Sequence, residues 1–201
     1  RDSIGRSGGH ARRIRLFTVR TLREILRDPL SFVICLGVPL VLLVAMYALF
    51  SPTAPWFTLD MLTPGIAVFS GAFAMLYMAL LVSRDRATWF LTRLYSSPLT
   101  DGDFVLGYAL PGILIGAGQL VICWAASAVT GLVAGETAWL GVGILPAVLS
   151  ALPMVVCFVF IGILSGSLFS DKAAPGLSSV VISGAGFLSG AWMPVESLSG
   201  G

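Results

Sequence analysis

SRDRATWFLTRLYSSPLTDGD, residues 83–103, is a polar island set between two long uncharged runs. Within it the helical period brings Phe90, Leu91, Leu94 and Tyr95 onto one arc, with Arg86 and Arg93 along its border. The pattern predicts a short amphipathic helix. Ser96, Ser97 and Pro98 end it, because proline disfavours a helical predecessor and has no N–H to donate to the preceding turn. Thr100 or Asp101 then caps the next helix, and Asp103 completes a loose capping box at its mouth. For Asp101 and Asp103, capping is the favoured reading over a cation site, since two carboxylates are too few for a calcium loop.

The runs on either side decide the fold class. Over 201 residues the chain is 57% hydrophobic and only 11% charged, with a mean hydropathy of +0.94, a composition that no water-soluble surface supports. An uncharged stretch of about 20 residues crosses a hydrocarbon core of about 30 Å as a helix rising about 1.5 Å per residue. Five such spans are expected, at about 30–50, 61–83, 105–132, 142–168 and 174–193. The expectation is an all-α membrane protein, divided into a cytoplasmic N-terminus over 1–29 and a transmembrane domain over 30–201, with a cytoplasmic loop at 84–104. Pro39 falls inside the first span, so it predicts a kink whose freed carbonyl needs a donor from a neighbouring helix.

Ahead of the first span, residues 1–10 read as a small, polar linker, and 11–27 as an amphipathic helix. Its apolar arc holds Ile14, Phe17, Val19, Leu22, Ile25 and Leu26, and its polar arc carries Arg12, Arg13, Arg20, Arg23, Glu24 and Arg27. Arg15 and Leu16 fall on the wrong sides. An arginine-rich helix of this kind is expected to lie in the headgroup layer, and Asp28-Pro29 ends it. The arginine-rich start is not expected to be a cleavable signal peptide.

Assigning the segments between spans alternately to the two sides gives one side every basic residue. Of the 12, eight precede Leu30, three lie in the island and the last is Lys172. The other side receives only Asp60, Glu136 and Glu196. By the positive-inside rule the N-terminus, the island and the 170–173 turn are expected to be cytoplasmic.

No span carries Asp, Glu, Lys, Arg or His in its interior, which argues against a proton-coupled pump and against intramembrane hydrolysis. There is no phosphate-binding loop, since Lys172 is the only lysine and no glycine-rich turn precedes it. Any energy from ATP must therefore be delivered by another subunit. Cys35, Cys123 and Cys157 sit in separate apolar runs without metal or disulfide spacing, and His10 has no companion ligand, so no metal site is expected. A net charge of +2 gives no case for nucleic acid. Gln119, the one strong amide in the third span, suits an interhelical hydrogen bond or a substrate path. Gly112/Gly116, Gly162/Gly166 and Gly186/Gly190 permit close helix approach, within one chain or between two copies.

The arginine-rich helix ending in Arg27-Asp28-Pro29, LTPGIAVF at 62–69, RDRATWFLTRLYSSPLTDGDFVLGYALP at 84–111 and SGAWMPVE at 189–196 together resemble the permease subunit of type-2 ATP-binding-cassette (ABC) exporters. The resemblance implies a dimer of six-span subunits, of which the residues to Gly201 supply five. It also implies ATP and Mg on a partner ATP-binding subunit, with no cofactor on this chain. The island would then be a coupling helix: Phe90, Leu91, Leu94 and Tyr95 its packed face, Arg84, Asp85, Arg86 and Arg93 its polar contacts, and Pro98 its end. Where many members have an acidic residue and a Gly-Thr pair early in this loop, this chain has Ala87, Thr88, Trp89 and Phe90. The implied setting is the lipid bilayer of a bacterial or archaeal cell membrane, with a second permease copy as partner. A non-transporting membrane anchor or scaffold is the alternative, and a secondary transporter is a third reading that the charge-free spans disfavour.

Overall fold

The computed structural model describes residues 3–54, 58–87, 101–135 and 144–189. Among them every regular element is a helix: α1 (Ser3–Arg27), α2 (Pro29–Phe50), α3 (Leu59–Ala87), α4 (Asp101–Ala134), α5 (Ile144–Leu168) and α6 (Ala174–Leu188). α2 to α5 are each long and apolar enough to cross a membrane. The described part of α6 is apolar but only 15 residues long, and the remainder of the expected fifth span, with Gly190 of the third glycine pair, lies outside the described residues.

Two boundaries differ from expectation. α1 reaches back to Ser3, through residues read as linker, because each residue added to a formed helix gains one hydrogen bond. α3 continues past its last apolar residue, so Arg84, Asp85, Arg86 and Ala87 form its final turn instead of opening a separate loop. Arg84 and Arg86 suit that position, where cations face the negative end of the helix dipole. Asp28 alone separates α1 from α2, and Pro29 occupies the first helical position, where its missing N–H costs nothing. Gly135 closes α4 with a φ of 80°, the left-handed conformation glycine adopts without a Cβ penalty.

α3 is the centre of the bundle. It packs on α2, α4, α5 and α6, and 67% of its span is buried against 11% for α2. Close glycine contacts set the spacing of its neighbours. A Cβ on Gly162 would stand 2.5 Å from the Met75 carbonyl oxygen, and one on Gly166 the same distance from that of Ala79. α5 therefore runs parallel to α3 with the two backbones nearly touching. Gly112 and Gly116 admit Val159 and Val155 in the same way, joining α4 to α5. Both pairs thus pack inside the chain. α4 runs antiparallel to α3, with the hydroxyls of Thr63 and Ser127 sharing a hydrogen bond at one end and Asp85 meeting Tyr108 at the other.

The carbonyl freed by Pro39 is that of Cys35, four residues earlier, and Gln119 Nε2 donates to it at 2.9 Å from α4. Cys35 Sγ in turn donates to the Phe73 carbonyl of α3 at 3.3 Å. Replacing Gln119 with leucine should therefore cost about 1 kcal/mol, the typical worth of an interhelical hydrogen bond in a membrane protein. In a Pro39→Ala background the new N–H serves Cys35, and the same replacement should cost almost nothing in a denaturant titration of the solubilised protein.

Candidate functional site

Three consecutive residues at the end of α3 each reach a different part of the molecule, as the roughly 100° step of a helix allows. Ser83 Oγ donates to Asp171 Oδ1 in the α5–α6 turn at 3.3 Å. Arg84 Nη1 lies 3.7 Å from Asp28 Oδ2 at the α1–α2 joint. Asp85 Oδ2 accepts from the Tyr108 hydroxyl of α4 and from Arg20 Nη1 of α1 at 3.4 Å. The root of the island is thereby tied to α1, α4 and the start of α6. These ties also put α1, the last turn of α3 and the 170–173 turn at one end of the bundle.

Asp85 carries the largest stake. It is only 3% exposed, and a carboxylate at that depth needs both a counter-charge and hydrogen bonds. Arg20 supplies the charge while also pairing with Glu24 at 2.9 Å, so one guanidinium bridges two carboxylates. Burial, and then the negative charge of Asp85, hold the Glu24 carboxyl above its ordinary pKa, with Arg20 and Arg84 pulling the other way.

An aromatic box holds the Tyr108 hydroxyl in place. The Phe17 ring from α1 meets Tyr108 edge-on at 5.0 Å, and Phe104 meets it at 4.9 Å, separations at which tilted rings attract. Phe17 reaches this position only because residue 107 is glycine: a Cβ there would lie 1.9 Å from its ring. In LGYALP, the Gly107-Tyr108 pair thus supplies a notch for α1 and the hydroxyl that meets Asp85.

Of the residues singled out from sequence, Arg84 and Arg86 are exposed and Asp85 faces inward. Phe90, Leu91, Arg93, Leu94, Tyr95 and Pro98 lie outside the described residues. On α1, Arg12, Arg23 and Arg27 are exposed and Arg20 is half-buried; the Arg13 side chain is not among those described. The broad apolar arc of α1 divides in two. Phe17 and Ile25, together with Thr21, are buried, whereas Val19 and Leu26 point outward beside Leu16 and the arginines. α4 covers one side of the helix, and the mixed basic and apolar side is exposed. Gln119 borders a small apolar cavity between α2, α3 and α4, also lined by Cys35, Tyr77, Met78 and Gly112.

Tyr108, Phe17, Ser83, Asp28 and Asp171 were not singled out as site residues. The available signal was the position of Asp28, Ser83 and Asp171 at the ends of apolar runs on the side that collects all the positive charge.

The sequence matches the family described as ABC-2 type transporter over residues 12–201. No curated protein and no solved structure matches it.

Proposed function

The chain belongs to the ABC-2 type transporter family, and we propose that it is the permease subunit of an exporter powered by a separate ATP-binding subunit. The observation that carries this reading is the rooting of the island. Its described start is the last turn of α3, whose Ser83, Arg84 and Asp85 bind the α5–α6 turn, the α1–α2 joint and α1 with α4. A push on the island by a partner is delivered to a helix packed against four others. Tight glycine contacts on α5 leave little slack to absorb it.

In this mechanism Phe90, Leu91, Leu94 and Tyr95 dock on the ATP-binding subunit, with Arg84, Arg86 and Arg93 at the rim of the contact and Pro98 ending the docked helix. Asp85 is a positioning residue that keeps the island's root fixed to α1. The ATP-binding subunit holds ATP and Mg. A second copy of this chain completes the pathway, and alternation of the two copies moves the substrate out of the cytoplasm across the cell membrane.

Reconstitution in liposomes tests the reading. With a cognate ATP-binding subunit, the chain is expected to give ATP-dependent transport, and transport driven by an ion gradient without ATP would contradict it. Orientation has its own test. A cysteine at Ser97 should label with an impermeant reagent only from the cytoplasmic side, and labelling from outside would overturn the assigned topology.

A further inference from the structure

Beside the root of the island lies a partly open cleft of about 60 Å³, lined by Asp28, Tyr77, Leu80, Leu81, Arg84 and Asp171. One wall is charged and the other apolar. The cleft sits where the apolar run of α3 gives way to Arg84, and the end of a membrane span is where acyl chains meet headgroups. We propose that it binds a membrane lipid whose headgroup joins a phosphate to a primary ammonium, as in phosphatidylethanolamine.

The choice of headgroup follows from the charges. Arg84 offers a guanidinium, more than half exposed and 3.7 Å from Asp28, which suits bidentate contact with a phosphate. Asp28 and Asp171 add two carboxylates. A purely anionic headgroup meets net repulsion from them, whereas a primary ammonium brings three N–H donors. A choline headgroup carries the same charge and no N–H, so it satisfies neither carboxylate by hydrogen bonding. Tyr77, Leu80 and Leu81 give the acyl chains an apolar wall, which favours a lipid over a free soluble aminophosphate. Tyr77 also borders the apolar cavity between α2, α3 and α4, extending that wall toward the bilayer core. Headgroup binding requires only that the spans lie in a bilayer, so it holds whether or not the island docks an ATPase.

Native mass spectrometry of the full chain in detergent tests this, using equimolar phosphatidylethanolamine and phosphatidylcholine with identical acyl chains. The ethanolamine lipid should be retained about tenfold better, the worth of one charge-assisted hydrogen bond. Asp28→Asn and Asp171→Asn, which keep shape and capping capacity, should each shrink that preference, and Arg84→Gln should weaken both lipids alike. A methylation series of the headgroup on the unmodified chain needs no variant: retention should fall with each N–H removed. Equal retention of the two lipids, a preference unchanged in the Asp28→Asn/Asp171→Asn double variant, or displacement by equimolar soluble phosphoethanolamine would each overturn the proposal.

Discussion

Asp85→Ala is expected to detach α1 from the bundle while leaving the spans inserted. The substitution removes the acceptor of the buried Tyr108 hydroxyl and the inward partner of the half-buried Arg20, a loss of about 3 kcal/mol for a buried hydroxyl left unsatisfied together with a lost charge-assisted hydrogen bond. Hydrogen exchange in α1 should then accelerate about 100-fold, because local opening reports the same free energy. Asp85→Asn should cost less, since its amide oxygen still accepts from Tyr108. Tyr108→Phe should be less harmful in the Asn background than alone, a coupling that a double-mutant cycle isolates. Unchanged exchange in α1 after Asp85→Ala would mean that the helix is held by its aromatic contacts alone.

The second large effect is at Gly162. Alanine is the better helix former by about 1 kcal/mol, yet Gly162→Ala is expected to destabilise by about 2 kcal/mol, because its Cβ meets backbone instead of a side chain that can turn aside. The obstacle is the Met75 carbonyl at 2.5 Å, with the Met75 Cα at 3.1 Å behind it, so α5 must move off α3 bodily. Gly184 has nothing within 4 Å of its would-be Cβ, and Gly184→Ala should be neutral or stabilising by up to about 1 kcal/mol. Thermal unfolding of the solubilised protein checks the pair: a lower midpoint is expected for Gly162→Ala and an unchanged or higher one for Gly184→Ala, and equal shifts would contradict the packing of α5 on α3.

The four long apolar helices were legible because an uncharged run of some 20 residues has few alternatives to a membrane-crossing helix. Pro39 announced that a carbonyl would need a donor, but not that Gln119, 84 residues away from Cys35 in sequence, would provide it. Arg84, Asp85 and Arg86 read as equally polar. Which one turns inward depends on how α3 is rotated against its neighbours, and the glycines of α5 and the Tyr108 hydroxyl of α4 set that rotation. The first turn of the island also reads differently for the same reason. Charged residues mark the end of an apolar run, whereas the helix ends where its last backbone bonds do, at Ala87. The apolar arc of α1 was legible as a whole, but its division between Phe17 and Ile25 inside and Val19 and Leu26 outside required knowing that α4 covers one side only.

The central claim is that energy enters through residues 84–104, and Leu94→Glu in liposomes containing the ATP-binding subunit tests it most directly. Membrane insertion and expression should be unchanged, while transport and the ATP hydrolysis coupled to it fall to background, because a charge on the docking face must be desolvated without a partner. Coupled hydrolysis and transport at the unmodified level in that variant would contradict the account.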